Sequence, residues 1–286
     1  MIKTANPVNA RNGKSRLRAR AAAVLAVLAS IAAMTPALGA DAKETDPYNV
    51  SFTAFFVTRT DGSIQANHST GPVNVGTSIA WHRDLGGDTN MTVPRIDGYY
   101  RFNAHNRVDF SWYDINRDGT ITTQRDIDFG NVHYPAGTAI NSTLDTQTIK
   151  AAYTYSFYRA PTIETSLSLG LYVTDLKASL QSTGLGVNEA QSTTAPLPVF
   201  GFRIDYALTP KLWVRSKYEL FFLDRLDTVQ GSLSDFTLQI EHHTFKHIGF
   251  GLGLDRNSTD FNVYNDPKSI EFSSVLTGFM LYVVVR

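Results

Sequence analysis

Apolar side chains recur at every second position along most of this chain, the period of a strand with one buried face. Ile96, Gly98, Tyr100 and Phe102 alternate with Arg95, Asp97, Tyr99 and Arg101, and Val108, Phe110 and Trp112 with Asp109, Ser111 and Tyr113. Ile149, Ala151, Tyr153, Tyr155 and Phe157 oppose Lys150, Ala152, Thr154 and Ser156. Leu167, Leu169, Leu171 and Val173 oppose Ser166, Ser168, Gly170 and Tyr172. Phe200, Phe202, Ile204 and Tyr206 then face away from Gly201, Arg203 and Asp205, and Val214, Tyr218, Leu220 and Phe222 from Arg215, Lys217 and Glu219. Phe236, Leu238 and Ile240 oppose Gln239 and Glu241, and Ile248, Phe250, Leu252 and Leu254 oppose Gly249, Gly251 and Gly253. An opening run over 51–59 and a closing run over 270–286 bring the number to ten. Helical periodicity is nowhere sustained.

The connections between these runs alternate in length. Short ones fall at 103–106, 158–161, 208–211 and 244–247, and long polar ones at 60–91, 116–146, 175–196, 224–234 and 257–269. Such alternation predicts an all-β fold: an up-and-down antiparallel transmembrane β-barrel of about ten strands, with eight as the alternative. A soluble barrel or sandwich has the same period with its apolar face inward. Lopsided loops, aromatics near strand ends (Phe102, Tyr155, Phe157, Tyr206, Phe222, Tyr282) and fixed charges on the polar face favour the membrane.

The two ends of the chain add to this picture. Six basic residues and no acid lie in the first 40 positions, and the apolar run Ala21 to Ala33 follows them. A run of thirteen residues is too short to span a bilayer of ~30 Å. Residues 1–42 therefore read as a signal peptide, cleaved near 39–42, with the barrel domain over 43–286. The net charge of zero over all 286 residues becomes −6 once those six cations are removed, which argues against nucleic-acid binding. There is no cysteine, so disulfides, Cys-based zinc sites and thiol nucleophiles are excluded.

The signal, the alternating strands, the Leu208-Thr-Pro-Lys211 turn, the segment His247-Ile-Gly-Phe-Gly-Leu-Gly-Leu254 and the closing Gly278-Phe-Met-Leu-Tyr282 resemble small Gram-negative outer-membrane β-barrels of the OmpA/OmpW-like superfamily. That resemblance implies residence in the outer membrane, with outer-membrane lipid, lipopolysaccharide and the barrel-assembly machinery as partners. This chain departs from the pattern in ending Val283-Val-Val-Arg286 rather than on an aromatic residue, and cell-wall anchoring is not implied.

Candidate chemistry is sparse. Asp114, Asn116, Asp118 and Gly119 match the opening of a calcium loop, but Arg125 stands where the bidentate glutamate belongs, so a tight hairpin at Asp118-Gly119 is the preferred reading. On a strand His242 and His243 point to opposite faces and do not share a metal with His247. His82 with Asp84, and His133 with Asp126 and Asp128, fall in predicted loops with no hydrolase spacing and no Gly-x-Ser-x-Gly elbow. Neither a catalytic, a metal nor a cofactor site is expected.

What remains is the polar face, with Arg95, Asp97, Arg101, Asp109, Lys150, Arg203, Asp205, Arg215, Lys217, Glu219, Glu241 and Asp255. A Lys or Arg facing lipid at the midplane costs ~2–4 kcal/mol, so these residues are expected to line the lumen. Arg101 is expected to pair with Asp109, and Arg215 or Lys217 with Asp205 or Glu241. A small barrel has little free bore, which favours an interior plugged by ion pairs. The expected function is that of a structural or surface-interaction protein of the outer membrane, not an enzyme. A small channel for ions or polar solutes is the alternative, and a barrel-embedded hydrolase the second.

Overall fold

The computed structural model describes residues 46–70, 73–226, 229–265 and 268–286. The signal peptide expected over 1–42 lies outside the described residues. In chain order the elements are β1 (Tyr48–Thr70), β2 (Val73–Val75), β3 (Ile79–Ala80), helix α1 (Trp81–Leu85), β4 (Met91–Arg101), β5 (Asn106–Thr122), β6 (Ile127–Phe129) and β7 (Val132–Tyr134). There follow β8 (Ala139–Arg159), β9 (Ile163–Ser182), β10 (Val187–Thr209), β11 (Leu212–Leu226), β12 (Val229–His242), β13 (Ile248–Asn265) and β14 (Lys268–Val285).

Ten long strands pair with their neighbours in the order β1-β4-β5-β8-β9-β10-β11-β12-β13-β14, all antiparallel. β14 returns to β1 along Val50–His68, so the sheet closes on itself as a ten-stranded barrel. Phe56 and Phe279 stack across that closing seam with ring centroids 4.9 Å apart.

The lower half of the wall is apolar outside. Leu167, Leu169, Phe200, Phe222, Leu252 and Leu254 are all more than half exposed, and Tyr48, Tyr100, Phe102, Tyr155 and Phe157 ring the short-turn end. On β9 this outward face runs from Ile163 to Val173, ~33 Å of strand at about 3.3 Å per residue. A tilt of ~40° reduces it to a band ~25 Å tall, the height of a bilayer's apolar layer. So large a continuous apolar belt is incompatible with water. Tyr282, grouped with the rim aromatics on sequence, instead faces inward at 5% exposure, because its register on β14 places it opposite the inward Gly251 and Thr53.

Above the belt the strands continue, and their faces exchange character. On β8 the outward set changes from Ile149, Ala151 and Tyr153 to Asn141, Thr143 and Asp145, while Ile140 and Leu144 turn inward at 1% and 3% exposure. Most of the long loops expected over 175–196, 224–234 and 257–269 are therefore strand. Between β9 and β10 only residues 183–186 turn, with Gly186 at φ +66°. The hairpin expected at Asp118-Gly119 is likewise absent. Both residues lie in β5, paired with Thr143 and Ser142 of β8. Glycine is required there by close approach and not by a positive φ: a Cβ on Gly119 would lie 2.3 Å from the carbonyl oxygen of Leu85 in α1.

This upper half encloses an apolar core. Ile64, Ile140, Leu176, Leu180, Leu197, Leu233 and Phe272 point inward from the strands, and Trp81, Leu85, Ile127, Phe129 and Tyr134 enter from α1 and the β6–β7 hairpin. The hairpin is fastened from several sides. Thr77 donates its amide to the Asp128 carbonyl at 2.9 Å, and the Tyr134 hydroxyl donates to the Leu180 carbonyl at 2.7 Å.

Candidate functional site

All twelve lumen candidates are on inward faces of the lower half. Strand parity puts them there, and lipid on the other face holds the parity fixed. Nearest the short turns, Arg101 donates to Glu164 at 3.0 Å, and Arg159 reaches the same carboxylate at 3.1 Å. Arg101 thus ends on Glu164 and not on Asp109. Asp109 accepts from Arg107 of its own strand at 3.1 Å and from the Thr154 hydroxyl, because i and i+2 share a face and a flank.

Across the barrel, Arg215 lies between Asp205 (3.3 Å) and Glu241 (2.8 Å). Glu241 also accepts from the Tyr282 hydroxyl at 3.2 Å and meets the His243 ring at 2.8 Å. Arg203 donates to Asp205 at 2.8 Å. Next above, Glu219 takes Lys150 and, at 3.0 Å, Lys217, and accepts the Tyr172 hydroxyl at 2.8 Å. Highest is Arg95, between Asp97 (2.7 Å) and Asp255 (3.3 Å), with Thr237 donating to Asp255 at 2.9 Å.

Five further members were readable only in part. Arg107, Glu164 and Asp235 fall on the polar parity of runs already recognised, so continuing each alternation by a residue or three would have found them. Tyr172 falls on the polar face of its run, but nothing in sequence gives its hydroxyl the carboxylates of Glu219 and Asp235. Arg159 was hidden by a bulge between Ser156 and Tyr158, which shifts the parity by one. Counting these, eight carboxylates face eight Lys or Arg cations in the lower half, so the layer carries no net charge before His243 is considered. Within it lies a cavity of about 80 Å³, lined by the less enclosed Asp97, Asp109, Arg203 and Lys217 among others. Above it, toward the apolar core, the voids shrink to about 10 and 20 Å³, the size of single waters.

The other candidates are separate from this layer. Asp114, Asn116 and Asp118 share the outer face of extended β5, a geometry that does not wrap an ion. His242 bonds Thr244 outside while His243 bonds Glu241 inside, and His247 meets the Arg286 carbonyl at 3.2 Å. His82 bonds the Gly87 carbonyl at 2.9 Å. Asp84 instead receives Arg125, Arg83 and the Ala80 amide. Burial pushes the Asp84 carboxyl up, but those three donors outweigh it and hold it at about 2. His133 lies exposed at 2.6 Å from Asp128, whose carboxylate raises the imidazole.

No protein-family model matches the chain, and no curated protein is similar to it in sequence. Among solved structures, the outer membrane protease OmpT of Escherichia coli superposes with a TM-score of 0.50 at 7% identity, over 85% of this chain and 99% of that one. The fold is that of an outer-membrane β-barrel. At 7% identity the likeness concerns architecture alone; the lipid environment follows from the outward apolar belt. The translocator domain of the autotransporter NalP of Neisseria meningitidis (TM-score 0.45, 11% identity, 96% of this chain and 99% of that one) is also similar. So is OprG of Pseudomonas aeruginosa (TM-score 0.40, 9% identity, 85% and 99%). In such barrels the short turns face the periplasm and the longer connections the outside. The apolar core with α1 and the β6–β7 hairpin is at the end with the longer connections.

Proposed function

We propose that this barrel is closed, a non-enzymatic outer-membrane protein of the surface-interaction type, whose working part is its extracellular half. One observation carries the reading: the inward face changes from ion-paired to apolar on crossing the membrane boundary, so two fillings of opposite chemistry occupy the bore. An ion entering from outside would have to leave water for a core of Trp81, Leu85, Phe129 and Leu197, each at most 3% exposed. From the periplasm it would have to displace paired guanidiniums and carboxylates from one another. A conducting pore needs neither barrier. With the bore filled, the contribution of this chain to its surroundings rests on the polar outer surface above the lipid. Lipid, lipopolysaccharide and the assembly machinery remain the partners that its outward apolar belt suits.

Planar-bilayer recording with the refolded chain is the direct test. The expected trace is flat, and neutralising Arg215 and Lys217 leaves it flat. Discrete conductance steps that change size in those variants would establish the small-channel alternative instead.

A further inference from the structure

β4 is the shortest of the ten barrel strands, and its brevity leaves a gap in the wall. β1 pairs with β4 only as far as Val57↔Met91, and β5 pairs with β4 only as far as Tyr113↔Arg95. Above those points, from Asp114 to Thr122, the edge of β5 that faces β1 has no strand partner among the described residues. α1 and the residues after it fill the gap incompletely, and a groove of about 560 Å³ remains between β1, α1 and β5. Its floor includes Arg117.

Arg117 is 6% exposed and makes no hydrogen bond or ion pair with any described residue, and its Nε is wholly shielded from water. Every lumen arginine named above has a carboxylate within 3.3 Å. A buried guanidinium left without an acid is expensive, and such groups are normally paired or coordinated. An arginine side chain keeps its charge at neutral pH even when buried. Nη1 lies 3.8 Å from where a Cβ on Gly62 would stand, which places the guanidinium beside groove-lining β1. Thr60, also lining the groove, has a buried hydroxyl without a partner among the described residues. Two more guanidiniums, Arg59 and Arg83, stand about three-quarters exposed at the rim, each with a single carboxylate neighbour. Asp61 on the same rim would oppose an anion, but it is bound to Arg59 at 3.2 Å and largely in water.

We propose that this groove binds a phosphate group, with Arg117 as its buried contact and Thr60, Arg59 and Arg83 as further donors. A phosphate monoester suits the arrangement better than a carboxylate, since three terminal oxygens can accept from donors converging from several sides. The height of the groove admits two sources. It opens just above the outward Phe56 and Phe279, at the level of lipid headgroups, and it also faces the external solution. The site does not depend on a closed bore, so a conducting barrel would leave this proposal standing.

Calorimetry with inorganic phosphate on the folded full chain in detergent micelles tests the soluble source. The same chain in phosphatidylcholine nanodiscs, with and without phosphatidic acid, tests the lipid source. Arg117→Met should weaken saturable binding about 10-fold or more, as loss of a charge-assisted contact does. Its melting temperature without phosphate should not fall, because the substitution removes an uncompensated buried charge. Binding to free phosphate identifies a soluble ligand; binding confined to phosphatidic acid discs identifies a lipid phosphate. Should the methionine variant fail to fold, Arg117→Lys keeps the charge without the planar fork and should bind more weakly than wild type in a folded barrel. Absence of binding in both media overturns the proposal. So does equal affinity in wild type and variant, above all if the variant melts lower, since Arg117 would then be a structural residue only.

Discussion

Among single residues, Glu219 holds the most concentrated set of partners in the lumen: Lys150, Lys217 and the Tyr172 hydroxyl converge on one carboxylate that is 1% exposed. A buried ion pair is worth little against an apolar replacement of both partners, but removing one partner strands the other. Glu219→Gln leaves two ammonium groups facing an amide and should cost about 3–5 kcal/mol. Lys217→Gln should cost about 1 kcal/mol, since Glu219 keeps Lys150 and Tyr172, and Lys217 lies at 18% exposure beside the cavity. Urea unfolding in lipid vesicles measures both, and similar losses in the two variants would refute this ranking. The pairing itself was only half legible in sequence. Alternation tells which side chains enter the lumen, because lipid forbids the other face. It does not tell which strands stand opposite across the bore, so Arg95 and Asp255, 160 residues apart, could not be matched.

Strands were legible as far as the lipid extends and no further. Within the belt, apolar-out alternation marks each strand, and all ten were recognised. Above it the outward face meets water, the apolar set moves to the other parity, and Thr and Ser share the inward face with Ile and Leu. On β8 the signal therefore weakens between Ile140 and Thr148 while the backbone continues unbroken. Gly119 illustrates the cost of reading glycine as a turn. It stands in mid-strand because α1 comes down upon it, with the Leu85 carbonyl where a Cβ would go. Gly119→Ala should lift α1 from its seat while the barrel stays intact. Overpacking of this kind costs about 1–3 kcal/mol locally, which corresponds to roughly 5- to 150-fold faster amide exchange over residues 81–85. Unchanged exchange there would mean that α1 yields without loss and that the glycine has no packing role.

For the molecule as a whole, the proposed closure makes the two fillings of the bore barriers in series, which has a consequence that separates them from a single plug. Replacing residues 124–137 with a short Gly-Ser connector removes the β6–β7 hairpin, with Ile127, Phe129 and Tyr134, and so opens the extracellular core. The charged layer below it is built from the barrel strands themselves and shares only Tyr172 with that core, so it should persist. Conversely, Asp97→Ala with Arg203→Ala removes one charge of each sign from the cavity wall and enlarges the existing space of about 80 Å³. The layer stays neutral, and its better-enclosed pairs at Glu219, Glu164 and Glu241 remain. The apolar core above is untouched by that change. Each alteration alone should therefore leave the bilayer trace flat, and only their combination should produce steps. Conduction after removal of the hairpin alone would mean that the charged layer is already permeable, and that the extracellular core is the single seal of this barrel. Silence of the combined variant, with its fold intact, would place the closure in the paired guanidiniums and carboxylates that remain.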